Sequence, residues 1–555
     1  MKRNCLIFLL AGWLAMPAHA IGFDPLPLPA SMAEATGVRS SPGYRQGNKS
    51  HALQYHKLIQ SGERRADQIF GLLHDQAGNL IHAPDGASRV SNKNDYSSLL
   101  NIEGGLFMLT QFEEIPGAIY LSELTQDRQA GLLSVTRTRP LDLAGINGGW
   151  NYCAGSTTPW QTHLGSEEYE PDAAARNPKS GAIDRYYQAM ASYKDGDPAS
   201  INPYDYGWQL EIAVKDFNSV QVNKRYALGR FSHEVGLVMP DQRTVYLTDD
   251  AHNTALFRFV ADRPGDLTSG SLYAARWRQT SAEQGGSANL DWIDLGHASE
   301  SEIAAAIGKK LRFDDLFDRT KLPQDGRCSE GHTAINTRFG AECLRLKPGR
   351  ELLASRLESR RYAALLGATT EFRKMEGLAY DPAKRRLFVA MSVIARGMED
   401  RKLMDADDPH FDRGGPNHIQ VGYNPCGSVY ELTLDNAYAA TAMRSLLAGK
   451  PVADDPDNEC DSEAIANPDN LTFLTGQDTL IIAEDSSQGH LHNMLWAYHL
   501  GEKRLTRLLT APLGAEVTGS YYYPDINGWG YLMCTLQHPS QGPALTGYLG
   551  PFPTR

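Results

Sequence analysis

The stretch Thr244-Val-Tyr-Leu-Thr-Asp-Asp250, followed by Ala255-Leu-Phe-Arg-Phe-Val260 and Gly270-Ser-Leu-Tyr-Ala-Ala-Arg-Trp277, sets the pattern of this chain. Each run is short and rich in apolar, β-branched or aromatic residues, which is typical of a β-strand. Polar, glycine-containing or acidic residues separate the runs and predict turns. The repeating unit is therefore a strand, an acidic turn and a returning strand.

The same texture recurs on both sides of this stretch. Further strand-like runs are Gly105–Glu113, Gly117–Leu124, Gly131–Arg137, Arg386–Ser392, Gly427–Leu432, Thr479–Glu484 and Met494–Tyr498. Repeated strand pairs with glycine-rich turns are typical of a β-propeller, although insertions blur the period here. The sequence predicts a fold dominated by β-structure, namely a propeller with helical and loop insertions. An array of β-sandwiches is the competing fold.

Three insertions have helical character. A short helix is expected near residues 183–192, and apolar residues recur at helical spacing within residues 299–322 and 435–449.

Composition narrows the function of the protein. The chain has 555 residues with 41% hydrophobic and 22% charged residues, and its net charge is −12. This acidic balance argues against a nucleic acid as a specific partner, which would require a basic surface. An acidic protein that acts on an anionic substrate needs local positive charge, and bound metal ions can supply it.

The N-terminus resembles a secretion signal. Lys2 and Arg3 precede an apolar run that ends in the small-residue motif Ala18-His19-Ala20. We expect residues 1–20 to be a signal peptide, residues 21–98 an N-terminal arm with an irregular segment, and residues 99–555 the propeller domain. The mature chain is expected to be periplasmic or secreted and to carry no stable membrane anchor.

Six cysteines remain after removal of this signal. Cys328 with Cys343 and Cys426 with Cys460 are the local pairs, and an exported protein is free to form disulfides. The spacing does not fix their connectivity. Cys153 and Cys534 are the other two.

Cys153 lies in the stretch from Gly148 to Glu170, where a thiol precedes a cluster of carboxylates. Thiolate suits a transition metal, and carboxylates suit calcium or share iron with sulfur. Four later segments also place a carboxylate at the edge of a strand-like run, at Glu234, Glu376, Asp469 and Glu516. One such residue in each strand-rich unit fits a propeller whose blades point ligands at a central channel. Gathered there, the carboxylates would repel one another unless cations were bound.

Several segments together resemble the PhoX family of secreted phosphatases. They are Asn151–Glu168, Gly229–Glu234, Val245–Asp250, Met375-Glu-Gly377, Pro468–Leu471 and Leu536–Pro539, in the order of the family. The resemblance implies a six-bladed β-propeller that carries an iron and calcium cluster. It also implies hydrolysis of phosphate monoesters, with small phosphorylated molecules as substrates, outside the cytoplasm.

The resemblance also assigns roles to individual residues. Cys153 matches the iron-binding cysteine, and Glu234, Glu376 and Asp469 match metal-binding carboxylates. At least one of Glu167 and Glu168 is expected to bind or support calcium. Lys374 and Glu376 are the expected catalytic residues, with Lys374 and Arg373 binding the substrate. Candidates for further metal binding, or for support of the ligands, are Gln111, Glu113, Asp249, Asp250 and Glu516.

Two departures from the family pattern leave alternatives open. The family places an arginine two residues before the cluster glutamate, where this chain has Lys374, and lysine lacks the two-pronged geometry that matches phosphate oxygens. The N-terminus also has no twin-arginine pair. The alternatives are a phosphodiesterase or lactonase on the same metal-binding propeller, or a propeller stabilised by calcium that binds a partner without catalysis. The sequence does not specify the oligomeric state.

Overall fold

The computed structural model describes residues 21–175, 182–400 and 411–554. The expected signal peptide lies outside the described residues. The first part of the described chain contains short elements: β1 (Ile21–Phe23), α1 (Met32–Ala35), β2 (Arg39–Ser40), β3 (Gly43–Gln46), β4 (Lys49–Ala52), β5 (Gln54–Gln60), β6 (Arg64–Arg65) and β7 (Gln68–Ile69).

Two four-stranded antiparallel sheets follow, each built in chain order. The first contains β8 (Asn94–Ile102), β9 (Gly105–Phe112), β10 (Ala118–Gln126) and β11 (Leu133–Pro140). The second contains β12 (Tyr152–Thr157), β13 (His163–Glu167), β14 (Gln209–Asp216) and β15 (Ser219–Lys224), with α2 (Ala182–Ala191) between β13 and β14.

The central part of the chain forms the longest strands and most of the helices. Its elements are β16 (His233–Val238), β17 (Thr244–Asp249), β18 (His252–Thr254), β19 (Phe257–Arg263), β20 (Asp266–Ser281), β21 (Ser287–Ser299), α3 (Glu300–Gly308), β22 (Phe317–Lys321), β23 (Thr333–Thr337), β24 (Gly340–Leu346), α4 (Glu351–Leu357), α5 (Ser359–Leu365), β25 (Phe372–Arg373), β26 (Met375–Asp381), β27 (Arg386–Met391), β28 (Ser428–Leu434) and β29 (Ala440–Ala448). Nine of these strands form one sheet in the order β16-β17-β19-β20-β21-β29-β28-β27-β26. Within it, β21 lies between two four-stranded units, β16-β17-β19-β20 and β29-β28-β27-β26.

Two sheets complete the described chain. The first contains β30 (Pro468–Leu474), β31 (Thr479–Glu484), β32 (Met494–His499) and β33 (Arg504–Thr510), with β2 added at its edge. The second contains β34 (Glu516–Ile526), β35 (Trp529–Gln537) and β36 (Leu545–Pro553), and β5 is its fourth strand. A strand from the N-terminal region thus completes the C-terminal sheet, with Ile59 paired to Thr546.

The first strands of these units surround a common centre. β8, β12, β16, β26, β30 and β34 contact one another in that order, and β34 contacts β8 again. Apolar side chains fill the space between the faces of neighbouring sheets, as Leu109 and Leu210 do between the first and second sheets. The hydrophobic core is therefore divided among the gaps between sheets, and the inner strands leave a central region for polar groups.

The prediction of a fold dominated by β-structure is confirmed, and the arrangement is propeller-like. The boundary expected between residues 98 and 99 lies inside β8, since that strand begins at Asn94. The helices expected near residues 183–192 and at the start of 299–322 are present as α2 and α3. The remainder of 299–322 contains turns and β22 instead.

The helix expected at residues 435–449 is wrong, because this segment forms β29. Two register shifts against β28 each skip a residue on β29, and Ala440 and Met443, on either side of the shift at Thr441, are both buried. Such bulges put residues three apart on one face of a strand, so they imitate helical spacing. The backbone hydrogen bonds of this segment are made with the neighbouring strands β28 and β21. The spacing of apolar residues within the segment does not reveal these partners.

Both local cysteine pairs form disulfides. Cys328 is bonded to Cys343, and Cys426 is bonded to Cys460. Cys153 and Cys534 remain free thiols. Among the described residues, no helix is long and apolar enough to cross a membrane.

Candidate metal centre

Each inner strand has, at its first or second position, a residue that can bind a cation. These residues are Asp95 on β8, Cys153 on β12, Glu234 on β16, Glu376 on β26, Asp469 on β30 and Glu516 on β34. In five cases the residue is the second of its strand, and Glu516 is the first of β34. Because corresponding positions of neighbouring strands lie at the same end of the ring, the fold brings together residues separated by more than 400 positions.

The side chains form three overlapping groups with metal-binding geometry. The ligand atoms within each group lie within 4.8 Å of one another. The groups are Cys153, Glu168 and Glu234; then Glu234, Glu376 and Asp469; then Asp469, Asp485 and Glu516. Glu234 and Asp469 each belong to two groups, so the three sites form a continuous row.

The electrostatics of this row suit bound cations. Burial, together with Glu376 and Asp469, raises the pKa of Glu234 well above its usual value. Burial and the neighbouring carboxylates Glu376 and Glu516 likewise raise the pKa of Asp469. Cys153 follows the same trend, since burial and Glu234 raise the pKa of its thiol. Positive charge at the centre would relieve this repulsion and favour the ionised ligands.

Two further carboxylates aim unpartnered atoms at the same region. Asp95 Oδ2 and Asp250 Oδ1 are shielded from solvent and have no hydrogen-bond partner among the described residues. The other oxygen of Asp95 accepts a hydrogen bond from Thr518. A buried carboxylate oxygen without a partner is costly unless a cation or water satisfies it. The donor set therefore fits a cluster with one thiolate-containing site and two sites made of oxygen alone.

Lys374 is a cationic side chain that the protein itself places in this centre. Its Nζ lies 2.8 Å from Asp250 Oδ2 and 2.8 Å from Glu376 Oε1. Burial alone would lower the pKa of Lys374, but Asp250 and Glu376 raise it well above its usual value, so the amine stays protonated. Its backbone is left-handed, with φ of 51°, which breaks the alternation of a regular strand at the join between β25 and β26.

Neighbouring residues hold Lys374 and Glu168 in place. The Tyr169 hydroxyl donates to Asp250 Oδ2 at 2.6 Å, the same oxygen that receives the Lys374 amine. Asn151 Nδ2 donates to Glu168 Oε2 at 3.1 Å. These contacts connect the loop after β13 to the turn after β17.

Glu167, the first residue of the expected acidic pair, belongs to none of the three ligand groups. Its carboxylate lies 2.8 Å from Lys224 Nζ, and both side chains are fully buried. It also accepts hydrogen bonds from the backbone of Trp150, Gly207 and Trp208. Glu167 and Glu168 are adjacent at the end of a strand, so they face opposite sides. Glu167 supports the fold beside the centre, and Glu168 is the member of the pair that enters a metal-binding group.

The remaining expected residues divide between the centre and its support. Asp249 forms a buried ion pair with Arg360, and Gln111 bonds His163 and the Ala154 carbonyl, so neither belongs to a group. Glu113 lies at the edge, where Gln537 Nε2 donates to it at 3.3 Å. Glu516 enters the third group, and His538 Nε2 lies 3.2 Å from its carboxylate.

Sequence reasoning missed Asp95 and Asp485. Asp485 directly follows β31, as Asp250 directly follows β17. The pattern of a strand followed by an acidic residue could therefore have identified Asp485. Asp95 lies at the second position of β8, but the preceding residues have no clear strand pattern. The alignment of inner strands, which only the fold reveals, identifies Asp95.

A cavity of about 790 Å³ opens beside the third group. Asp485 and His538 form part of its wall, together with His490, Leu513 and the exposed side chain of Met32. The centre is therefore reachable from outside on this side.

Comparisons of this chain with a family model and with solved structures both find similarity to PhoX proteins. The sequence model of a family described as "Alkaline phosphatase PhoX" matches residues 129–540. The solved structure of Pseudomonas fluorescens PhoX in complex with vanadate, a transition state analogue, aligns with a TM-score of 0.60 at 17% identity, covering 96% of this chain and 98% of that one. Trypanosoma rangeli sialidase with sialic acid aligns at a TM-score of only 0.32 and 9% identity, covering 90% and 58% of the chains. A search of curated proteins finds no match.

Proposed function

Because the chain belongs to the PhoX family of alkaline phosphatases, we propose that it is an exported phosphatase that hydrolyses phosphate monoesters at an iron and calcium cluster. The cluster would lie in the channel of a six-bladed propeller. The observation that carries the proposal is the row of three overlapping ligand groups, to which five of the six inner strands contribute one residue each: Cys153, Glu234, Glu376, Asp469 and Glu516.

The ligand types determine which cation each group would hold. Cys153, Glu168 and Glu234 would hold iron, since thiolate with carboxylates suits a transition metal. The groups Glu234, Glu376, Asp469 and Asp469, Asp485, Glu516 would hold calcium, which prefers several carboxylate oxygens. When bound, these cations act as Lewis acids that neutralise the charge of a phosphate ester.

The side chains of the protein would orient the phosphate group. Lys374 Nζ is already fixed between Asp250 and Glu376, at 2.8 Å from each. Its side chain is 29% exposed, so the amine can also contact a ligand in the channel. Negative charge on the equatorial oxygens of the transferred phosphoryl group would be attracted to this fixed cation, and solvent would screen the attraction only weakly. The amine would not need to move during the reaction. Glu376 holds the amine in position and is also a member of the second ligand group.

Export is supported by several features of the chain. The two disulfides suit an oxidising compartment, and the N-terminal 20 residues have the composition of a signal peptide. We assign residues 21–93, rather than 21–98, to an arm whose strand β5 completes the last blade, and the remainder, beginning with β8, to the metallohydrolase domain.

The test is metal analysis combined with a phosphatase assay on the purified protein. We expect iron and calcium to co-purify and p-nitrophenyl phosphate to be hydrolysed with release of inorganic phosphate. Protein supplied with both metals that binds no iron and releases no phosphate would contradict the proposal.

Lys374 favours one alternative, a phosphodiesterase on the same centre. The lysine ammonium is a single point charge, so it selects a dianionic terminal phosphate less strongly than the two paired donors of an arginine would. Faster hydrolysis of bis(p-nitrophenyl) phosphate than of p-nitrophenyl phosphate would support this alternative.

A further inference from the structure

A second cationic group lies beside the metal centre and has no role in the mechanism above. It contains Arg373, Arg396 and His252. Strand β18 pairs with β25 so that His252 lies opposite Arg373. His252 follows Asp250 by two residues, and Arg373 directly precedes Lys374. The two-stranded sheet therefore connects this group to the residues that hold the phosphate.

Arg396 completes the group from a different segment. Its Nη1 lies 3.5 Å from His252 Nδ1. The centre of its guanidinium lies 4.6 Å from the centre of the Phe411 ring, which fixes the plane of the side chain. Arg396, Arg373 and His252 are all partly exposed, so a ligand can reach them.

The guanidinium of Arg373 lacks the partners that a shielded cation requires. Its Nε and Nη1 are inaccessible to solvent and have no hydrogen-bond partner among the described residues. Burial and then the charge of Arg396 lower the pKa of Arg373 to about 10. The guanidinium groups of Arg373 and Arg396 repel each other, and an anion bound between them would replace this repulsion with attraction.

We propose that Arg373, Arg396 and His252 form a subsite for a second anionic group of the substrate, a phosphate or a carboxylate carried by the leaving group. The inference rests on the proposed function and specifies its substrate class, namely phosphate monoesters with another negative charge. Two guanidinium groups can each donate paired hydrogen bonds to such a group. Lys374 would hold the phosphate to be cleaved while the arginines hold the other end of the molecule.

Binding of non-hydrolysable phosphonates tests the subsite independently of catalysis. The probes are propylphosphonate, 3-phosphonopropionate and propane-1,3-bisphosphonate, measured by calorimetry on the metal-loaded protein. We expect the two compounds with a second anionic group to bind about 10-fold or more tightly than propylphosphonate, since hydrogen bonds between charged groups contribute that much. The relative affinity of the carboxylate and the bisphosphonate identifies which anion the subsite prefers.

Variants then locate the effect. Arg396→Gln should abolish most of the preference for the second anion, and Arg396→Lys should keep part of it, because the charge remains but the paired donors are lost. Arg345→Gln is the matched control, since Arg345 lies on an exposed ion pair with Asp318, and it should leave all three affinities unchanged. Thermal melting checks that each variant is folded, and the lysine variant serves if the glutamine variant is not.

Two outcomes would overturn the subsite. Equal affinity of wild-type protein for the three phosphonates would do so, as would a preference that survives in folded Arg396 variants. Failure of the proposed function has a different result, namely no release of phosphate from any monoester, whatever the affinities for the phosphonates.

Discussion

At the scale of single residues, Cys153 decides what kind of metal the centre can hold. It supplies the sulfur in the first ligand group, and oxygen ligands alone would not distinguish that site from the other two. Cys153→Ala should therefore remove iron and reduce phosphatase activity by about 100-fold or more, since even partners of metal ligands are worth about 10–100-fold. Metal analysis and the phosphatase assay measure the two effects.

Cys534 provides a matched control for this change. It is also a free thiol, but it lies buried within β35 and in none of the ligand groups. Cys534→Ala should retain iron. Loss of iron from both variants, or from neither, would contradict the role of Cys153.

In the proposed function, Lys374 is the residue that holds the phosphate. Replacement by glutamine leaves Asp250 and Glu376 without their cation, so kcat/KM should fall by about 100-fold. Lys374→Arg restores the paired donors of the family pattern and should bind inorganic phosphate a few-fold more tightly, at about 2–5-fold lower inhibition constant. Inhibition of the phosphatase assay by phosphate measures this effect, and a weaker inhibition in the arginine variant would show that the amine does not contact phosphate.

At the scale of elements, the strand β5 closes the arrangement by pairing with β36. Ile59 of this strand is fully buried. Ile59→Ala should lower the free energy of unfolding by about 2–5 kcal/mol, the usual cost of a cavity left by a buried aliphatic side chain. Urea unfolding measures the change.

Lys57 lies two residues earlier on the same strand and is exposed. Lys57→Ala should change the free energy by less than about 0.5 kcal/mol. Equal effects of the two substitutions would indicate that β5 does not contribute through burial.

The loop between β31 and β32 introduces a pH dependence of stability. His490 Nδ1 lies 3.0 Å from Glu484 Oε2, with both side chains fully buried. Burial lowers the pKa of His490, but Glu484 raises it more, so the net shift is upward. The stabilisation is thus fully present below the unfolded pKa of about 6.5 and is lost as the pH rises through the higher folded pKa. Unfolding curves across this range should show the loss in wild-type protein, and His490→Gln should show a smaller pH dependence.

At the scale of the whole molecule, the proposed cations would hold the inner strands together. The three ligand groups draw on five inner strands of the ring, so removal of bound calcium would leave buried carboxylates that repel one another. A calcium chelator should lower the melting temperature and abolish activity. Ligand binding at 100 times its dissociation constant stabilises a fold by about 2.7 kcal/mol, so the melting shift should be several degrees.

Restoration separates the two contributions. Added calcium should recover both the melting temperature and the activity, whereas added magnesium should recover less of each because it prefers smaller, regular sites. Full activity after removal of calcium would contradict the calcium sites.

The local chemistry of the chain was largely readable from its sequence. The alternation of short strands and turns predicted the β-fold, since the period of side-chain burial depends only on neighbouring residues. The resemblance around Cys153, Glu234, Glu376 and Asp469 identified ligands that the fold brings together. Bulged strands are the exception, because β29 imitates a helix where its register shifts.

Only the tertiary structure decided which of these residues meet. Glu167 and Glu168 are equivalent in sequence, but one lies against Lys224 and the other faces the centre. Asp95 joins the site because inner strands far apart in the chain start at the same end of one ring. Asp485 joins it because β31 ends beside the start of the inner strand β30, where Glu484 pairs with Pro468. Sequence determines which side chains can bind a metal, whereas distances between strands decide which of them share one. Those distances depend on the packing of whole sheets, which no local pattern specifies.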